Sequence, residues 1–155
     1  MDIQATTDAI ERSIIINAPR ERVWRALTDT TEFSTWFGAS LKGQTFTAGQ
    51  RVRGPITHCG YEHVNFDVVV ERVEPQTVLA YRWHPYPVDP TVDYDAETPT
   101  LVTFALSEVP GGTRVTVVES GFDQVPPERR LEAFRMNDRG WAAQLENLAR
   151  HVTNA

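Results

Sequence analysis

Hydrophobic and polar positions follow two rhythms along this chain, and the two are segregated. Ile10, Ile14 and Ile16 stand among polar neighbours, which predicts a strand over Ile10–Asn17. Asn17-Ala18-Pro19 stops it, and a proline suits the first turn of a helix, where its missing N–H has no partner to lose. Val23, Trp24 and Leu27 then recur at helical spacing, opposite Arg20, Glu21, Arg22 and Arg25, which predicts a short helix over Pro19–Thr28. A second short helix or turn over Asp29–Phe37 ends in the aromatic pair Trp36-Phe37. Beyond it the strand rhythm takes over. Leu41–Gly49 reads as loop or irregular strand. Gln50–Thr57 is interrupted by Gly54-Pro55, which suits an edge strand or a bulge. After a turn over 58–63, strands are predicted at Val64–Val73, Val78–His84, Thr100–Ser107 and Thr113–Ser120, the last two joined by a tight turn at Pro110-Gly111-Gly112. Pro126-Pro127 opens a long helix to about Val152. Its stripe is Leu131, Phe134, Asp138, Trp141, Leu145, Leu148 and Val152, at spacings of 3, 4, 3, 4, 3 and 4.

This order predicts an α+β fold: a curved antiparallel sheet wrapped around a long C-terminal helix, with two short helices after the first strand. The stripe on the long helix must be buried, and the sheet is the only surface large enough to cover it. Such an arrangement leaves space between sheet and helix, where a ligand would sit. Residues 1–9 are expected to fray and 10–155 to form one domain, long enough for a sizeable core.

Two quoted stretches carry a family resemblance. INAPRERVWRALTD followed by WF, and TRVTVVESGF followed by a helix containing RGWAAQLENLARHV, resemble the two ends of the activator-of-heat-shock-ATPase homologue family. That family belongs to the START-like (SRPBCC) superfamily, and the resemblance spans roughly residues 10–152. It implies the helix-grip fold. It leaves three activities open, because one scaffold hosts many functions. The first is binding of a small, mostly hydrophobic ligand between sheet and helix. The second is a cyclase/dehydratase-like enzyme using acid/base residues in the same cavity. The third is co-regulation of a chaperone ATPase by protein contact.

Charge and composition narrow the partners. A net charge of −6 lacks the basic footprint of a nucleic-acid binder. No apolar run reaches membrane-span length, and the N-terminus lacks the regions of a signal peptide. Cys59 is the only cysteine, so no intrachain disulfide can form and a cytoplasmic location is expected. Lys42 is the only lysine and sits in a polar loop beside Gly43, which argues against Schiff-base chemistry. No cofactor is implied. The expected partner is a small hydrophobic molecule, with a protein partner or a homodimer left open.

The candidates for chemistry are few. Asp138 interrupts the apolar stripe, so it either contacts a ligand as an acid/base group or pairs with an arginine. Glu119 shares a strand face with Val115 and Val117, which turns it inward. There it would be a second cavity carboxylate or a cross-strand partner of Arg82, Arg53 or Arg51. His84 is the third catalytic candidate. The expected ligand-contacting set is Trp36, Phe37, Phe66, Tyr81, Trp83, Phe104, Glu119, Phe134, Asp138 and Trp141. Tyr81, Trp83 and Trp141 each offer a hydrogen bond, although aromatic stripes of this kind are core first. Gly140 is expected to let the helix approach the sheet.

His58, Cys59, His63 and His84 match no zinc spacing, so no metal site is expected and the rim of a cavity is their natural place. Pro85–Pro99 carries Asp89, Asp93, Asp95 and Glu97 with no basic residue, lacks the turn glycine of a calcium loop, and reads as a mobile flap. No nucleophile elbow or phosphate loop is present. An enzyme would have Asp138 or Glu119 facing the cavity without an arginine. A binder would have them paired or outside it. A co-regulator would have an exposed apolar patch and a filled core.

Overall fold

The computed structural model describes residues 8–154. Strand β1 (Ala9–Ile16) leads into helices α1 (Arg20–Thr28) and α2 (Thr30–Phe37). Strands β2 (Arg51–Pro55), β3 (Asn65–Glu74), β4 (Val78–Trp83), β5 (Thr100–Val109) and β6 (Gly112–Ser120) follow, and helix α3 (Pro127–Thr153) closes the chain. All six strands form one antiparallel sheet in the order β1-β6-β5-β4-β3-β2. This is the helix-grip arrangement. Of the segment expected to fray, residues 1–7 lie outside the described residues, while Ala9 opens β1 opposite Ser120.

Local chemistry explains the ends of the sheet. β2 takes an edge position, where the missing N–H of Pro55 costs little. Gly54 is required there by close approach, since a Cβ would lie 1.8 Å from the Ser40 carbonyl oxygen. A register shift between Val70 and Arg72 bends β3. The β5–β6 hairpin runs further than the sequence suggested, to Val109 opposite Gly112.

The long helix packs over β1 and against α1 and α2. Trp141, Leu145, Leu148 and Val152 are buried, but Leu131 is 53% exposed. A strict seven-residue stripe drifts by about 20° per heptad around a straight helix. Over the three heptads from Leu131 to Val152 the drift comes to about 60°, which turns Leu131 away from the line of the buried residues.

Asp29 caps α2 by accepting hydrogen bonds from the Thr31 and Glu32 amides at 2.9 and 3.1 Å. Glu32 then ties three helices together, accepting from Arg22 (2.8 Å) and Arg25 (3.0 Å) of α1 and meeting His151 of α3 (2.9 Å). Burial pushes the Glu32 carboxyl up, but hydrogen bonds from His151, Arg22 and Arg25, with the Arg22 charge, hold it below its ordinary value. A lowered carboxyl adds stability that is present above its unfolded pKa and lost as pH falls through the folded one. Glu32→Gln should therefore be less stable by about 1–3 kcal/mol at neutral pH and converge on wild type in acid. Paired thermal melts across the acid range test this. A gap that stays constant with pH would assign the difference to packing instead.

Candidate functional site

Glu119 is the organising residue. The alternation of β6 turns it inward with Val115 and Val117, and it is fully buried. Its carboxylate accepts hydrogen bonds from four neutral side chains on three elements. Trp83 Nε1 of β4 (2.8 Å) and Thr100 Oγ1 of β5 (2.6 Å) reach Oε2. Asn137 Nδ2 (2.9 Å) and Trp141 Nε1 (2.8 Å) of α3 reach Oε1. The arginines expected as partners are engaged elsewhere: Arg51 and Arg53 with Asp67, Arg82 with Glu71. Arg82 alternates with Tyr81 and Trp83 along β4, so it points to the opposite face of the sheet.

A closely packed aromatic layer surrounds this carboxylate. Trp83 and Trp141 stack with centroids 5.6 Å apart, Phe104 meets the edge of Trp141 at 5.5 Å, and Tyr81 packs on Trp83 at 5.5 Å. The Tyr81 hydroxyl is buried and has no partner among the described residues. Burial, with the Glu119 charge, holds its pKa well above the ordinary tyrosine value.

A cavity of about 660 Å³ opens in front of this layer. Phe37, Phe66 and Trp83 line it from α2 and the sheet, and Met136, Asn137 and Gln144 from α3. Tyr86, Val88, Val92 and Tyr94 close it from the segment after β4, with His58, His63 and His84 among its polar lining. A recess of about 110 Å³ lies between Phe37, Trp83, Asn137, Gly140, Trp141 and Gln144. Gln144 Nε2 donates to the Phe37 carbonyl at 2.8 Å, which ties α3 to the end of α2 at the cavity wall. Asp67, also lining the cavity, is held below its ordinary pKa mainly by the hydrogen bond from Arg51. Among the described residues no group of three or more His, Cys, Asp or Glu is arranged to hold a metal, and no helix is long and apolar enough to cross a membrane.

Residues 17–153 match the family model described as Activator of Hsp90 ATPase homolog 1-like protein. The chain belongs to this family. Among solved structures it is similar to protein MLL2253 from Mesorhizobium loti, at 27% identity over 95% of this chain and 98% of that one, with a TM-score of 0.73. It is also similar to DynU16 of the dynemicin biosynthetic locus, at 26% identity and a TM-score of 0.69, over 92% of this chain but only 46% of that one. The Aha1 dimer from Colwellia psychrerythraea shares the fold at 19% identity, with a TM-score of 0.65 over 92% of this chain and 93% of that one. No curated protein matches the sequence.

Within this Activator of Hsp90 ATPase homolog 1-like fold, the residues singled out by sequence divide into four groups. Phe37, Phe66, Trp83 and His84 line the main cavity, the last with its buried Nδ1 bonded to no described residue. Trp141 lines only the recess. Tyr81, Phe104 and Glu119 lie in the packed layer behind. Trp36, Phe134 and Asp138 lie away from the cavity. Trp36 donates to the Ala26 carbonyl at 2.8 Å, and Phe134 packs on Phe122 at 5.2 Å. Asp138 accepts two hydrogen bonds of 2.9 Å from Arg12 of β1.

Helical geometry explains the displacement of Asp138. At about 100° per residue, Asp138 stands about 60° to one side of Trp141, towards β1. Asn137 stands about 40° to the other side, and Gln144 about 60°, towards the cavity. Those two were legible as the i−4 and i+3 neighbours of Trp141, had polar residues been read as wall rather than surface. One other expectation is corrected. A Cβ on Gly140 would meet no atom within 4 Å, so this glycine borders the recess rather than allowing a close helix–sheet contact. The segment from Pro85 to Pro99, expected as a mobile flap, stands beside the cavity and supplies part of its wall. Glu97 pairs with Arg129 of α3, whose guanidinium sits 5.3 Å over the Tyr94 ring, and the Asp89 amide donates to the Tyr94 hydroxyl oxygen at 3.1 Å.

Proposed function

We propose that this protein binds a small, mostly apolar molecule in the cavity between the sheet, α3 and the segment after β4. The observation that carries the reading is the cavity itself. Its volume of about 660 Å³ falls within the roughly 300–1,000 Å³ typical of small-molecule sites. Its aromatic surfaces match a flat ligand, and burial of apolar area supplies most of the affinity. Asn137 and His84 set its orientation.

The state of the two carboxylates supports binding over acid/base catalysis. Asp138 is neutralised by Arg12, and Glu119 is occupied by four donors behind the wall. Co-regulation of a chaperone ATPase draws less support. The exposed large apolar side chains Ile15, Val69, Leu131 and Tyr61 sit on β1, β3, α3 and a loop, not in one patch. The free, exposed thiol of Cys59 fits a reducing, cytoplasmic setting.

Titration with an environment-sensitive naphthalene sulfonate dye and with flat aromatic compounds tests the reading. Micromolar binding is expected, with a change in tryptophan emission because Trp83 lines the cavity. Ile56→Trp, which fills the cavity from its wall, should weaken binding by at least about tenfold, or 1.4 kcal/mol. Absence of binding, or equal binding to the filled variant, removes the proposal.

A further inference from the structure

Asn137 is the one α3 side chain that both lines the main cavity and bonds to the buried carboxylate. Its amide nitrogen lies 2.9 Å from Glu119 Oε1 and 3.2 Å from Oε2. An amide has a donating end and an accepting end, and only the donating end can satisfy a carboxylate. Glu119 thus fixes which way round the Asn137 amide stands. It is itself held in place by the indoles of Trp83 and Trp141, which can only donate.

The consequence falls on the other end of the amide. Asn137 Oδ1 accepts no hydrogen bond from any described residue, yet it is not among the buried unpartnered atoms. It is an accessible acceptor on a residue that borders both the main cavity and the recess. Gln144, the other α3 amide of this wall, is spent: its nitrogen donates to Phe37 and its oxygen accepts from Asn147 at 3.1 Å.

We propose that Asn137 is a specificity-determining residue that selects ligands carrying a hydroxyl or N–H donor on a flat apolar body, and that Glu119 is the positioning residue that holds it in this sense. The proposal rests on the cavity being the binding site. An acceptor that a bound ligand shuts off from water favours a ligand that can donate to it and disfavours an isostere that cannot.

The test compares two probes of one skeleton, 2-naphthol and 2-methoxynaphthalene, by fluorescence titration. Only the first can donate. Wild type should prefer 2-naphthol by about three- to tenfold, the range of one neutral hydrogen bond. Asn137→Leu should erase the preference while still binding 2-methoxynaphthalene. Glu119→Gln offers the Asn137 amide a partner of either sense, so it should also shrink the preference. That ratio is a readout which lost stability alone does not move, and thermal melts of the same samples establish that each variant is folded. If Glu119→Gln does not fold, Asn137→Leu decides alone.

Equal affinity of both probes for wild type overturns the inference and leaves the binding reading standing. A preference that survives Asn137→Leu also overturns it and transfers the selection to another polar group of the wall. Full preference in a folded Glu119→Gln removes the positioning role. Binding of neither probe removes the cavity reading and this inference together.

Discussion

Glu119→Leu should destabilise the protein by about 3–6 kcal/mol, among the largest effects of any single substitution in the chain. Leucine matches the lost side chain in bulk, so the loss is not one of volume. It is that four donors from β4, β5 and α3 converge on one point and lose their acceptor together. Each donor left buried without a partner costs about 1–3 kcal/mol, reduced where water follows Asn137 in from the cavity. Glu119→Gln keeps the shape and one oxygen but turns an amide N–H₂ towards other donors, and should cost about 1–3 kcal/mol. Replacing a whole buried polar group with apolar residues can be harmless, but only when every partner is replaced as well. Urea denaturation of the three proteins, read at the midpoint with unchanged slope, gives the comparison. A leucine variant within about 1 kcal/mol of wild type would show that the donors find other partners.

Trp141→Ala should cost about 3–5 kcal/mol. The indole is 2% exposed, stacks on Trp83, meets Phe104 and donates to Glu119. Its removal joins the space it filled to the neighbouring recess, and the void then opens towards the cavity. Trp141→Phe retains part of the packing and loses the donor, so it should fall between wild type and alanine. Probe binding in the main cavity should stay close to wild type in the phenylalanine variant, because Trp141 borders the recess and not the main cavity. Chemical denaturation and dye titration on the same samples separate the two effects. An alanine variant that melts with wild type would mean that α3 is not held to the sheet at this point.

The sequence carried the fold well, because its evidence is local and periodic. Alternating residues phased β6 and turned Glu119 inward, and the helical stripe placed Trp141 against the sheet. The site was harder to read, because its parts are distant in sequence. The donors to Glu119 lie 36, 19, 18 and 22 residues from it, and no spacing rule links them. Asp138 attracted attention as the polar break in an apolar stripe, yet the turn of the helix aims it at Arg12. Asn137, one residue earlier, lies off the apolar stripe, so the periodicity does not single it out. In the segment after β4 the prolines and acids dominate the composition, and they obscured Tyr86, Val88, Val92 and Tyr94, whose side chains build the cavity wall.

The stacked indoles of Trp83 and Trp141 have an optical consequence. Two identical chromophores whose rings lie 5.6 Å apart at a fixed angle of 27° couple their transition dipoles. The pair should therefore contribute an exciton couplet to the far-ultraviolet circular dichroism, superimposed on the backbone signal. Its amplitude depends on the mutual orientation of the rings, which the Glu119 carboxylate fixes by accepting from both. The protein thus carries an unlabelled reporter of order at the wall of its own cavity, one that responds to a rotation of either indole without any change in helix or strand content.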